Sequence, residues 1–331
     1  MQNKEIKVYN VNPILEHRLD CYRHALLPIV LHFGADIRPF LFNKHGGWTF
    51  NSKIDFEEVA FLRYSTMLDY VGLNREYKKV SENNIIEAIC GILNGGMMSI
   101  VFIDTYNYKR FPASYLTFHS RHALPIYGYN KIQKTFNIID SNYIESFSRI
   151  QTHISFDDLI YSHQKMVEYY NVDDYIEMIS KKNSINNMFF YDYIEAYHYF
   201  MINNQPKHFQ HLIDLQRFVN QFNESVTNPE NIRSMVSSIY MAFNKAINIR
   251  HLEYTSTRMY FQNVDSILEC LDKMLELYNY IRAIMYKYLY TGEYREVSIR
   301  KCSEMLESVV LCEEEYYQAM YKYFIVENIC M

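Results

Sequence analysis

At 331 residues the chain exceeds the usual single-domain size, so it holds one large domain or two packed units, and either can bury a substantial core. A formal net charge of −5, with no Lys/Arg stripe interleaved with aromatics, excludes a phosphate-gathering field and argues against a nucleic-acid partner. Six scattered cysteines without a CxxC pair argue against a disulfide framework; residues 1–13 lack an apolar signal core and no run of about eighteen apolar residues occurs, which predicts a cytoplasmic chain with no membrane span.

Taken in chain order, Asp20 reads as an N-cap for a helix opening at Cys21 and ending near Gly34, with Pro28 as an interior kink. Met98–Asp104 reads as a buried strand. His122–Asn130 and Thr135–Asp140 read as two strands joined by the turn Asn130–Lys134, the second running into Asp140-Ser141-Asn142. From about Ser155 glycine nearly vanishes, leaving Gly292 alone, and apolar residues recur at helical spacing. The clearest case is Val264–Tyr288; weaker patterns run through Tyr191–Asn203, His208–Asn223, Asn231–Ile249 and Ser298–Ile329. The pattern predicts a mixed α and β unit over residues 1–152 and an all-helical unit over 153–331. The 32 Tyr and 21 Phe are spread along the whole chain, as rings lining cores and interfaces would be.

A cysteine in the first turn of a helix meets unpaired backbone N–H groups and the positive end of the dipole, both of which favour its thiolate. Cys21 has that position, whereas Cys270, Cys302 and Cys312 lie within amphipathic helical patterns. A nucleophilic thiol needs a base held in one tautomer by a third polar group. His122 and Asp140 suit those roles because a hairpin brings the start of one strand beside the end of the next; Asn142 is the alternative orienter. His24 and His119 are rival bases, and Asp104, at a strand end, is either a turn residue or a polar group inside the cleft. Cys21-x-x-His24 lacks the further ligands that a metal site requires.

A cysteine opening a helix, followed about a hundred residues later by His-Ala-Leu-Pro-Ile-Tyr-Gly-Tyr-Asn (His122–Asn130) and Phe-Asn-Ile-Ile-Asp-Ser-Asn (Phe136–Asn142), resembles the papain-like superfamily in its C39-like form. Asp20–Leu26 and Val101–Tyr106, followed by His119 and His122, resemble more narrowly the butirosin biosynthesis protein H family. The resemblance covers residues 15–150. It implies an α+β, papain-like (C39-like) cysteine-protease fold followed by an all-helical C-terminal domain, and an acyltransferase of natural-product biosynthesis. Such an enzyme passes an acyl group from an acyl carrier protein thioester, carried on a phosphopantetheine arm, or from another thioester, through a Cys21 acyl-enzyme to a small-molecule or peptide amine. It needs no metal or organic cofactor. Papain-like enzymes usually place a glutamine about six residues before the nucleophile as an oxyanion donor; Leu15 stands there, and Asn12 is the nearest upstream amide. Two other readings stay open, a cysteine peptidase or amidase using the same residues with water as acceptor, and a non-catalytic binding module on the same scaffold. The helical half is expected to form one wall of the substrate cleft, to join two copies as a homodimer, or both.

Overall fold

In the computed structural model the described residues are 5–14, 19–43, 45–60, 62–112, 114–141, 149–182 and 190–327. In chain order the elements are β1 (Ile6–Val8), α1 (Cys21–His32), α2 (Arg38–Phe42), β2 (His45–Phe50), β3 (Ile54–Val59), α3 (Tyr64–Tyr70), β4 (Leu73–Lys79), α4 (Ile85–Asn94), β5 (Met98–Asp104), β6 (Arg121–Asn130), β7 (Thr135–Ser141), β8 (Arg149–Ser155), α5 (Phe156–Tyr170) and β9 (Tyr175–Lys181). The helices α6 (Phe190–Asn203), α7 (Gln205–Ser225), α8 (Pro229–Tyr260), α9 (Asp265–Thr291) and α10 (Glu296–Tyr321) follow. No helix among the described residues is long and apolar enough to cross a membrane.

The chain divides into two compact units, Met1–Phe40 with Arg63–Phe189, and Leu41–Leu62 with Phe190–Met331. The division expected at residue 152 falls inside β8. The strand pairing gives the reason. β8 is the outer partner of β7, and β9 returns to lie between β4 and β5, so the sheet needs residues up to 181. The second unit is not all-helical either, because it takes in the β2–β3 hairpin.

The first unit is α+β in layout, with an antiparallel seven-stranded sheet in which six strands run in the order β4-β9-β5-β6-β7-β8 and β1 joins off that path. β1 pairs with Gly128–Asn130 of β6, whereas β5 pairs with Arg121–Ile126 of the same strand. Gly128 is required where β1 crosses. A Cβ there would meet the Lys7 carbonyl oxygen at 2.7 Å and the Val8 Cα at 2.9 Å, both backbone atoms that cannot step aside. β5 is buried along its whole length, as the run Met98–Ile103, apolar but for Ser99, requires of a strand covered on both faces. α1 packs on β5 and β6, and residues Arg23–Val30 of that helix are all buried. Pro28 is accommodated within α1, and Gly34, at φ 73°, supplies the left-handed residue just past its end.

In the second unit the hairpin is built into the core. Trp48, the single tryptophan, is buried against Phe56, Phe243 and Tyr278 at ring separations of 4.9, 4.8 and 5.6 Å. Its indole N–H donates to Glu313 Oε1 at 2.9 Å. Around it lies a buried ionic cluster. Arg250 donates to Glu253 Oε2 and Glu313 Oε2, both at 2.6 Å, and His45 Nδ1 stands 3.0 Å from Glu253 Oε1. The Arg250 guanidinium also covers the Tyr316 ring at 4.7 Å. Gly47 allows this close docking, since a Cβ there would strike the His211 ring at 2.1 Å. The five expected helices are present as α6 to α10, longer at most ends than their apolar periodicity alone indicates. α10 stops at Tyr321 and continues as a π-helical turn over Lys322–Glu327.

Candidate active site

The N-terminus of α1 is fixed by Asp20. Its Oδ1 accepts the Arg23 backbone N–H at 2.7 Å, its Oδ2 accepts the Arg23 Nε–H at 2.9 Å, and its carbonyl accepts the His24 N–H at 3.0 Å. These bonds use two of the helix's first four amides. The amides of Cys21 and Tyr22 have no partner among the described residues and remain available to an oxyanion formed at Cys21.

β6 brings the base to the thiol. The Cys21 sulfur lies 3.9 Å from the Arg121 carbonyl oxygen, which sets it at the start of β6 beside His122 and Ala123, the two groups whose interaction favours its thiolate. His122 Nε2–H donates to Asp140 Oδ1 at 3.0 Å, so Nδ1 is the ring nitrogen left for the thiol. The hairpin geometry explains the pairing. Carrying the Ile126↔Ile138 register two residues on sets Asp140 level with Leu124, which shares a sheet face with His122.

Asp140 is fully buried and its acceptors are filled. Tyr108 O–H donates to Oδ2 at 2.8 Å, the Ser141 N–H donates to Oδ1 at 2.7 Å, and Arg149 Nη1 stands 3.9 Å from Oδ1. Burial pushes this carboxyl up, but the hydrogen bond and charge of His122, with Tyr108 and Ser141, hold it below its ordinary value. For His122 burial pulls down and Asp140 and Cys21 outweigh it, raising the imidazole to about 9. For Cys21 burial again pushes up, yet the His122 hydrogen bond and charge and the Ala123 amide bring the thiol below its ordinary value against a small opposing effect of Asp20. These directions favour a thiolate–imidazolium pair. Burial raises the thiols of Cys90, Cys270, Cys302 and Cys312, with Cys90 reaching about 11. Cys21 is therefore the one described cysteine whose surroundings favour the thiolate.

The structure thus brings Cys21, His122 and Asp140 together. Of the rivals, His24 is buried one turn along α1 with neither ring nitrogen bonded, and burial holds its imidazole down to about 3. His119 is bonded to Asp104 rather than to Cys21, and Asp104 is a buried acceptor, not merely a turn residue. Asn12 is exposed and makes no hydrogen bond to the three site residues. Asn142 and Leu15 lie outside the described residues.

Several members of the site carry little or no sequence signal. Tyr108 is one, and the ring of Phe111, edge-on to His122 at 5.7 Å, is another. A third group locks the residue after the nucleophile: Tyr22 O–H donates to the buried Glu177 at 2.7 Å and accepts from Arg75 Nη1 at 3.0 Å. Glu177 stands in β9, far along the chain, and only the sheet order reveals the contact. The one available hint for Tyr108 is its place in the turn after β5, a strand end that faces the start of β6.

Tyr108→Phe is expected to relax the Asp140 carboxyl upward and lower the His122 imidazole from about 9. A hydrogen bond to a charged acceptor contributes on the order of 1.5–3 kcal/mol, so Cys21 acylation should slow about tenfold. An NMR titration of His122 beside the acylation rate checks this; an unchanged titration removes Tyr108 from the site.

No protein-family model matches the sequence, and no curated protein matches it significantly.

Proposed function

We propose that this protein is a cysteine-dependent acyltransferase on a papain-like scaffold. It takes an acyl group from a thioester, with an acyl carrier protein as the donor class, and delivers it to an amine. The observation that carries the reading is the placement of the Cys21 thiol, 3.9 Å from the Arg121 carbonyl, at the start of β6, where the next residue, His122, bonds the buried Asp140. Its order along the sequence, nucleophile at a helix N-terminus, base at a strand start and acid at the end of the next antiparallel strand, supports the papain-like assignment.

The chemistry follows from those positions. The Cys21 thiolate attacks the thioester carbonyl, the oxyanion turns to the Cys21 and Tyr22 amides, and the donor thiol departs with the proton of His122. Neutral His122 then takes a proton from the acceptor as the C–S bond to Cys21 breaks, and the ion pair is restored. Asp140 keeps Nδ1 aimed at the sulfur throughout.

Incubation with S-acetyl-N-acetylcysteamine is expected to add one acetyl group, mapped by mass spectrometry to Cys21, released by hydroxylamine and absent from Cys21→Ser. Acetylation spread over other cysteines with Cys21 unmodified excludes the reading. Discharge to water alone, with amines ignored, makes the protein a hydrolase using the same three residues.

A further inference from the structure

A second Asp–His pair stands at the same end of the sheet. Asp104, the last residue of β5 and fully buried, accepts His119 Nδ1–H on Oδ2 at 2.6 Å. Its other oxygen accepts the backbone N–H groups of Tyr106 at 3.1 Å and Ser120 at 3.3 Å. A carboxylate filled by three donors holds one tautomer of the imidazole, with the lone pair on Nε2. Both faces of that ring are covered. Tyr106 stacks on it at 4.3 Å and Tyr169 of α5 at 3.6 Å, the planes within 12° and 11° of parallel. His119 nevertheless keeps 28 % of its side-chain surface exposed, and Nε2 has no partner among the described residues. His119 lies two residues, about 7 Å of extended chain, before Arg121, whose carbonyl oxygen contacts the Cys21 sulfur.

We propose that His119, held by Asp104 and clamped between Tyr106 and Tyr169, is a second base that takes the first of two protons from a protonated amine acceptor. The inference rests on the acyl-enzyme reading above and explains a need which that reading leaves. An alkylamine arrives at neutral pH as an ammonium ion, with roughly one molecule in a thousand or fewer free, and His122 alone accepts one proton per turnover. In the complete step R–NH3+ gives one proton to His119 Nε2. The resulting amine attacks the acyl carbon, the C–N bond forms and the C–S bond breaks. His122 takes the second proton as Cys21 leaves as thiolate, and His119 returns its proton to solvent. Asp104 acts as a positioning residue, and the stacked rings restrict the imidazole to its outward edge.

The test uses the full chain acetylated at Cys21 with S-acetyl-N-acetylcysteamine, and compares discharge at pH 7 to n-propylamine, which is protonated, with discharge to hydroxylamine, which is not. His119→Gln is expected to acetylate at the wild-type rate, to lose about a hundredfold in discharge to propylamine, and to keep its discharge to hydroxylamine. Tyr169→Ala, on the exposed surface of α5, should move the same ratio in the same direction. Unchanged acetylation reports that α1 and β6 are intact in each variant, so a folding defect cannot imitate the result. Equal loss with both nucleophiles, no loss with either, or a wild-type acyl-enzyme that ignores propylamine overturns the role of His119 and leaves the Cys21 acyl-enzyme standing. Failure of the wild-type protein to acetylate at Cys21 removes the acyl-enzyme reading and this inference with it.

Discussion

His122→Ala is expected to slow acylation of Cys21 by a thioester at least about a hundredfold at pH 7. Burial is the largest influence on this thiol and pushes it up; the His122 hydrogen bond and charge are what reverse it. Without them the Ala123 amide and the helix N-terminus are left to favour the thiolate against burial and Asp20, so the thiol should titrate above its ordinary value of 9.0. The thiolate fraction at pH 7 then falls below about one per cent. The sign of the pH dependence follows. In the wild-type protein the ion pair forms as pH rises through the lowered value of Cys21 and is lost as His122 gives up its proton near 9. Acyl transfer, which needs the imidazolium to protonate the departing thiol, should therefore fall above about 9, whereas alkylation by iodoacetamide should not. In His122→Ala, alkylation should be slow at pH 7 and recover only in alkali. Equal alkylation of variant and wild type at pH 7 would show that Cys21 does not depend on His122.

The largest effect on stability is expected from Arg250→Met. Arg250 and Glu313 are fully buried and Glu253 nearly so, with one guanidinium serving two carboxylates. Burial alone would push the Glu253 carboxyl up; the Arg250 charge and the His45 hydrogen bond hold it down. Removing the cation strands two carboxylates, a change that costs about 3–5 kcal/mol. It also frees the acceptor that Trp48 and Tyr278 share, Glu313 Oε1, from its balancing charge. Urea unfolding followed by the fluorescence of Trp48, the single tryptophan, reads this directly. The triple variant with Glu253→Gln and Glu313→Gln should be less destabilised than Arg250→Met alone, because no bare charge remains. Additive losses would mean that the three residues act independently.

What was legible in the sequence is local or periodic. Asp20 before Cys21 marked the helix start because a cap works over three residues, and the cap is observed on Arg23. The strands holding His122 and Asp140 were legible because a short turn joins them, which confines both residues to one end of a hairpin. The helical character of residues 190–321 followed from apolar spacing over several turns. Tertiary structure decided the rest, where partners are remote in sequence. Tyr108 reaches Asp140 across 32 residues, Glu177 reaches Tyr22 across 155, and Trp48 reaches Glu313 across 265. The unit boundary was misplaced for the same reason: β9 is needed between β4 and β5, and the β2–β3 hairpin belongs to the helical core, and strand pairing of this kind leaves no mark on local periodicity. Hairpin spacing singled out His122 and left His24 and His119 as rivals; packing separates the three, burying His24 without a hydrogen-bond partner, giving His119 to Asp104 and His122 to Asp140.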